Sequence, residues 1–247
     1  MKTCPSRILV LASMSLILAM SGYAQTIDGV PFVITKPGTY TLAKDLTLSQ
    51  TAQSTTAIFV KADNVVIDLR GFTLAGYSTG GNTTYGIANV NKQGIPKPII
   101  NLTIQGGAIN GFDIAVQLGN AQFAVENLRV LNNVFGVSAS TCLFSSIKNC
   151  LIVSTLPISN PAGQLGVSLF GCTGIVVKNN QIGNQVIGCV SQSTGSPPSL
   201  GCSFIYNNFA NCPTGLLLGS VDKYQGNVTT NCPTPFSGGT AVGTENN

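Results

Sequence analysis

The chain of 247 residues contains no histidine and no tryptophan, and charged residues make up only 8% of it. An average globular domain carries roughly 25% charged residues. Without histidine, and with no pair of cysteines spaced as Cys-x-x-Cys, the sequence predicts no zinc site and no other metal or cofactor. The formal net charge of +4 is also small and dispersed, so we expect neither a nucleic acid nor an anionic membrane surface as partner.

The N-terminus has the organisation of a secretory signal peptide. Lys2 and Arg7 precede an apolar run from Ile8 to Met20, and small residues then lead to a cleavage site after Ala24. The run is too short to span a bilayer, which takes about 20 residues. We therefore expect residues 1–24 to be removed, residues 25–247 to be exported to the periplasm or beyond, and no membrane span.

A short phrase recurs along the chain and predicts stacked turns of a β-solenoid. Its copies are Asn132-Asn133, Asn149-Cys150, Asn179-Asn180, Asn207-Asn208 and Gly226-Asn227. An apolar residue stands two positions before each pair and is expected to face inward: Val130, Ile147, Val177, Ile205 and Tyr224. The residues that follow are expected to face outward, because strand side chains alternate: Leu131, Lys148, Lys178, Tyr206 and Gln225. Stacked asparagines can then hydrogen-bond from coil to coil as a ladder.

A second strand in most coils opens with glycine, at Gly86, Gly136, Gly166, Gly188 and Gly215. Together these patterns resemble the right-handed parallel β-helix, the pectate-lyase-like superfold. Ile34–Leu42 is similar to the lead-in of such proteins, and Asp63–Gly71 is similar to their first full coil. The resemblance implies an all-β domain of about seven to eight coils with an asparagine ladder. Residues 25–55 would be the lead-in, 56–235 the coils and 236–247 the tail.

The resemblance also implies that ligands lie along the first sheet, which the glycine-led strands form. The outward residues of that sheet expected to bind are Phe59, Lys61, Gln117, Ser168, Phe170 and Gln192. Of the residues on this face, only Lys61 is charged, which favours binding over cleavage. A second candidate is the outward stripe with Lys148, Lys178 and Tyr206, although an ordinary solvated face has the same composition. The interpretation is a non-catalytic protein that binds a polysaccharide or a cell-surface component.

Two other functions stay open. A polysaccharide lyase needs a base and cations to stabilise its developing anion, and Lys61, Asp68 and Arg70 are the candidates for those roles. The structural alternative is turn capping by Asp63 and a pair between Asp68 and Arg70 on one strand face at the end of the β-helix. The eight acidic residues of the chain do not form the paired carboxylates of ordinary glycosidases. The other alternative is a structural or adhesive surface protein that contacts proteins.

Seven cysteines remain after Ala24, so at least one stays unpaired within the chain. Cys142 and Cys172 each stand five residues before an inward residue, Ile147 and Val177. Cys212 and Cys232 share a repeated Asn-Cys-Pro-Thr phrase. Each pair is therefore a disulfide candidate between neighbouring coils. Buried reduced thiols are the alternative, because cysteine packs as a small apolar residue.

Overall fold

The structure is a computed structural model that describes residues 24–50, 55–79, 84–91, 94–156, 163–191 and 198–246. Within those residues all regular secondary structure is β-strand. The strands are β1 (Gln25–Ile27), β2 (Phe32–Ile34), β3 (Gly38–Leu42), β4 (Leu46–Thr47), β5 (Thr56–Val60), β6 (Val65–Asp68), β7 (Thr73–Ala75), β8 (Tyr85–Ala88), β9 (Ile99–Asn110), β10 (Ile114–Gly119), β11 (Ala121–Leu131), β12 (Phe135–Ser140), β13 (Ser146–Lys148), β14 (Leu151–Val153), β15 (Leu165–Phe170), β16 (Val176–Lys178), β17 (Gln181–Gly183), β18 (Ile187–Val190), β19 (Ser203–Ile205), β20 (Asn208–Ala210), β21 (Thr214–Leu217), β22 (Lys223–Gln225), β23 (Val228–Thr230), β24 (Thr234–Ser237) and β25 (Thr240–Ala241). The predicted signal peptide, residues 1–24, lies outside the described ranges except for Ala24.

The strands stack in parallel on three faces, which confirms the predicted parallel β-helix. Face one is the nine-stranded sheet β2-β5-β8-β10-β12-β15-β18-β21-β24. Face two follows β1-β3-β6-β9-β11-β13-β16-β19-β22-β25, and face three contains β4, β7, β14, β17, β20 and β23. The long strands β9 and β11 run through the corner from face two onto face three, because both pair with strands of each. No helix in the described ranges is long and apolar enough to cross a membrane.

One column of buried side chains from each face fills the interior. Face one contributes Ile58, Ile87, Val116, Val137, Val167, Cys189 and Leu216; face two contributes Ile67, Ile104, Val125, Ile147, Val177 and Phe204; face three contributes Leu74, Ile109, Val130, Ile152, Ile182 and Phe209. β-Branched residues predominate because they pack well on a pleated surface. This continuous core holds the strands in register, so residues at equivalent positions form straight columns on the outside.

The glycines that open the strands of face one are needed where face three turns into face one. A Cβ on Gly136 would lie 2.4 Å from the Gly166 carbonyl oxygen and 2.7 Å from Ile152 Cγ2. Contacts that short do not occur, so the coils could not stack this closely with a larger residue there. Ala115, which the alternation pattern assigns to the outside, stands in this same column and is fully buried.

The asparagine ladder lies at the corner between faces two and three. Asn180 Nδ2 donates to Asn207 Oδ1 at 3.0 Å, and Asn207 Nδ2 donates to Asn227 Oδ1 at 3.0 Å. The preceding residue in each coil takes a left-handed backbone conformation, with φ of 55° at Asn149, 56° at Asn179 and 53° at Tyr206. Asparagine tolerates this conformation better than most residues. The predicted ladder is confirmed from Cys150 to Asn227.

Two parts of the predicted alignment between the coils were wrong. Val130 does not stack on Ile147: it pairs with Ile152 on face three, and Asn132 and Asn133 form the next corner. The reason is that β11 continues through the ladder corner, so the same Asn-Asn letters occur at two different turns.

The second error is a slip of one residue in β19. The inward residue beside Val177 is Phe204, and Ile205 lies outside next to Lys178. The corner pair is therefore Tyr206-Asn207, because Tyr206 occupies the left-handed position that asparagine occupies in the neighbouring coils.

Candidate functional site

The outward residues of face one have the predicted register, but several of their side chains are buried. Ser138 pairs with Ser168 and Ser168 with Val190, yet these side chains are 7%, 1% and 5% exposed. Ser168 therefore cannot contact a ligand in this structure. Phe170, at 39% exposure, is the accessible ring at the edge of this face. Gln192 lies outside the described residues.

The three lyase candidates do not converge. Lys61 precedes β6, whereas Asp68 and Arg70 stand at its far end. The Lys61 ammonium lies 5.1 Å from the centre of the Phe59 ring. Asp68 Oδ1 accepts a hydrogen bond of 2.8 Å from the Arg70 backbone N–H. This contact is turn capping.

Other aspartates also hold backbone in place. Asp63 accepts from the Ile100 N–H at 2.9 Å, and Asp45 accepts from the Thr73 N–H at 2.8 Å. Asp113 is fully buried and accepts from the side chains of Ser78 and Thr79 and from the Thr84 N–H. Its negative charge adds to burial in raising the pKa of Tyr85.

Asp222 is the second fully buried carboxylate. It accepts from the Ser191 hydroxyl, from the Cys202 N–H at 2.8 Å and from the Gly219 N–H at 3.1 Å. Three donors compensate a buried carboxylate without any ligand. These acids therefore fix loops and do not form a paired catalytic centre.

The outward stripe of face two differs from the prediction at two positions. The column reads Gln105, Glu126, Lys148, Lys178, Ile205 and Gln225. Leu131 belongs to face three, opposite Val153, and Tyr206 stands at the corner. Lys148 Nζ lies 3.9 Å from Glu126 Oε1, and Lys178 Nζ lies 5.9 Å from the centre of the Tyr206 ring. The two lysines are thus neighbours, as predicted, and each has a partner.

An exposed aromatic ring marks the corner between faces one and two. The residues aligned at this corner are Asn64, Asn101, Gln122, Phe144, Gly174 and Gly201. All but Gln122 have positive φ, and Phe144 has φ of 45°. A left-handed conformation costs an ordinary residue about 1–2 kcal/mol. Asparagine and glycine are the expected residues here, and phenylalanine is not.

The Phe144 ring stands largely in solvent. It is 71% exposed, the highest value among the exposed large apolar residues of the described chain. A Cβ on Gly174 would come within 2.9 Å of Phe144 Cδ1, so the ring rests over a bare glycine. The Phe144 N–H donates to the Thr173 carbonyl at 2.9 Å and fixes the base of the side chain. The strained backbone beneath an exposed ring makes Phe144 a candidate functional residue.

Next to this ring lies a groove of about 600 Å³. Its floor consists of short side chains on face two, Thr103, Ala124, Ser146 and Val176. Asn101 and Gln122 stand with Phe144 on one wall, and Lys148 stands on the other. The floor residues are consecutive partners in adjacent strands, so the groove runs along the axis of the β-helix.

A second hollow of about 290 Å³ shares Phe144 and Gln122 with the groove. Its apolar part includes Ile100 and Leu143, which are 57% and 49% exposed. Asn120 and Thr141 supply polar atoms. Phe144 therefore stands between two depressions. We call the groove and this hollow together the corner site.

Of the residues in the corner site, sequence reasoning singled out Lys148 as a ligand-binding residue and missed Phe144 and Gln122. The signal was present, since Leu143-Phe144 aligns with Thr173-Gly174 once the register is known. In that register Phe144 is recognisable as a bulky residue in a column made up largely of asparagine and glycine. The alignment of Ile147 with Val177 already placed Phe144 opposite Gly174, whereas the misplaced Val130 concealed that Asn101 and Gln122 belong to the same column.

All seven cysteines of the described chain carry free thiols. Cys142 hydrogen-bonds to Cys172, and this contact, with burial, raises the pKa of Cys142. Cys212 and Cys232 also make a side-chain hydrogen bond. Both predicted pairs are thus neighbours on adjacent coils, and the disulfide bonds themselves stay a prediction.

Within the described ranges no group of three or more cysteine, aspartate or glutamate side chains is placed to hold a metal ion. The chain matches no protein-family model, and no curated protein matches it. The function of the corner site is therefore inferred from the residues that line it.

Proposed function

We propose that this chain is an exported, non-catalytic parallel β-helix protein that binds a polysaccharide at the corner site. The observation that carries the proposal is Phe144, an exposed ring in a strained conformation beside a groove lined by amides and hydroxyls. An aromatic ring covers the apolar face of a sugar, and neighbouring amides and hydroxyls bond its hydroxyl groups.

The groove has the size and shape that such a ligand requires. Its volume of about 600 Å³ falls within the roughly 300–1,000 Å³ of small-molecule sites. Its axial direction suits an extended polymer better than a compact molecule, because successive coils present the floor at regular spacing. The groove is open to solvent, so a ligand can enter without a change of fold.

The absence of catalysis is proposed from the chemistry of the site. No described residue that lines either depression of the corner site is acidic. Glu126 is next to the groove, but a glycosidase of the usual kind needs two carboxylates on either side of the bond. Lys148 alone could not both remove a proton and stabilise the resulting anion in a lyase.

Export is proposed from the N-terminal segment, whose charge and apolar run have the organisation of a signal peptide. The resemblance to the pectate-lyase-like superfold is consistent with an extracellular carbohydrate ligand. That resemblance supports the fold directly and the ligand only by analogy.

Binding to a panel of immobilised polysaccharides tests the proposal. The natural chain should bind at least one polysaccharide, and Phe144→Asn should weaken that binding at least about tenfold, which corresponds to roughly 1.4 kcal/mol. Asparagine suits the backbone at this corner, so the variant should remain folded. Phe170→Ala is the matched control, because it removes an exposed ring from face one.

Three outcomes would contradict the proposal. Loss of binding in Phe170→Ala with full binding in Phe144→Asn would place the ligand on face one. Formation of unsaturated or reducing sugar ends would make the chain an enzyme. Binding to surface proteins and to no polysaccharide would favour the adhesive alternative.

A further inference from the structure

We infer that the corner site selects uncharged polysaccharides over polyuronates, an inference that rests on the proposed function. The first argument is the charge of the lining. Of the described residues around the groove, only Lys148 is charged, and none around the second hollow is. A polyuronate carries one carboxylate on every sugar, so a site that selects it needs cations at repeated positions.

The single cation is also engaged. Lys148 Nζ lies 3.9 Å from Glu126 Oε1, with the two side chains 40% and 32% exposed. A carboxylate that approaches Lys148 meets the negative charge of Glu126 as well. The pair therefore presents little net field to the groove, and a uronate gains nothing there over a hydroxyl.

The polar groups that remain are neutral donors and acceptors. Asn101 and Gln122 are exposed beside Phe144, and Asn120 and Thr141 continue them into the second hollow. Amides and hydroxyls both donate and accept, as sugar hydroxyls do. The lining is therefore complementary to an uncharged sugar in chemistry as well as in charge.

The position of Phe144 gives the smallest ligand that fills the site. The ring and Gln122 border both depressions, so a chain that contacts both must pass Phe144. A ligand with one sugar in each depression is at least two sugars long. We expect affinity to rise about tenfold or more between a monosaccharide and an oligosaccharide that enters both depressions.

Titration calorimetry with defined oligosaccharides tests the inference. The neutral probes are cellohexaose, xylohexaose and mannohexaose, and the acidic probes are hexagalacturonate and an alginate hexamer. We expect the tightest binding from a neutral probe, with no dependence on salt. Glu126→Gln should raise the affinity for hexagalacturonate about fivefold or more by freeing Lys148, and that gain should disappear at high salt.

The results separate this inference from the proposed function. An acidic hexamer that binds best, loses affinity with salt and requires both Lys148 and Phe144 would overturn the inference while the proposed function stands. Lys148→Met is the variant for that comparison. No binding by any of the five probes, together with no polysaccharide retained on the panel, would overturn both.

Discussion

Like Tyr206 at the ladder corner, Phe144 combines two properties that cost an ordinary residue free energy. Its backbone is left-handed, with φ of 45°, and its ring is 71% exposed. The chain uses Asn64 and Asn101 at the same corner, with φ of 55° and 57°. Retaining phenylalanine there costs free energy that asparagine would largely recover.

Phe144→Asn should therefore stabilise the protein while it weakens glycan binding. The expected gain is about 1 kcal/mol, which for a chain of this size raises Tm by about 2–4 °C. Thermal unfolding of the natural chain and the variant measures it. A variant that loses both stability and binding would show that the ring has a packing role, contrary to the account.

Asn180 is a buried ladder residue whose side chain bonds to both neighbouring coils. Its Oδ1 accepts from the Cys150 N–H at 2.9 Å, and its Nδ2 donates to the Ile147 carbonyl at 3.0 Å. Asn180→Ala leaves both groups buried without partners and should cost about 1–3 kcal/mol. Asn179→Gly is the control, since glycine accepts the left-handed backbone. Equal melting curves for Asn180→Ala and the natural chain would argue against the ladder.

Cys150 shows how a ladder position can be held by another residue. Its Sγ faces the Val125 carbonyl, as Asn180 Nδ2 faces the Ile147 carbonyl one coil further on. Cys150→Asn should therefore extend the ladder and leave stability unchanged or raised by up to about 1 kcal/mol. Chemical denaturation measures the difference, and a large loss would mean that the corner cannot accommodate an amide there.

At the scale of strands, alternation and turn chemistry predicted most of the columns. The structure agrees with the prediction in three features: the glycine-led strands, the position of Lys148 beside Lys178, and the stacking of Cys142 on Cys172. Single turns were harder to assign, because Asn132-Asn133 and Asn179-Asn180 have the same letters at different corners. Residue preferences identify a left-handed turn, but only the packing of β11 against its neighbours determines at which corner of the coil the turn lies.

The cysteine columns give a prediction for the protein under oxidising conditions. Cys142 with Cys172, and Cys212 with Cys232, occupy adjacent coils in contact, so oxidation can link each pair. Peptide mapping of protein recovered from an oxidising compartment should show these two bridges. Recovery of every thiol in alkylatable form after unfolding without reductant would exclude them.

The reduced protein should lose stability at high pH. Burial raises the pKa of Cys150 and Cys212 from an ordinary value of 9.0 to about 11, and that of Cys202 to about 12. The folded state then holds protons that the unfolded state releases, so this contribution is complete below pH 9 and is lost towards pH 12. Denaturant titrations under reducing conditions should show the decline, and Cys150→Asn should make it shallower.

At the scale of the molecule, repetition is why the architecture could be predicted from sequence and the binding surface could not. Each coil buries the same columns, so the fold follows from a pattern that occurs many times. The burial of Ser138 and Ser168 and the exposed ring at Phe144 belong to single coils and are not repeated in every coil. The sequence offers no period by which to recognise them.

The location of bound glycan is the central claim, and NMR of side-chain amides tests it most directly. A ¹⁵N spectrum recorded with the best neutral hexasaccharide should show shifts of the Asn101 and Gln122 side-chain amides, which border Phe144. The Gln117 amide, on face one in register with Ser138, should not move. A shifted Gln117 with unchanged Asn101 and Gln122 would contradict the account and place the ligand on face one.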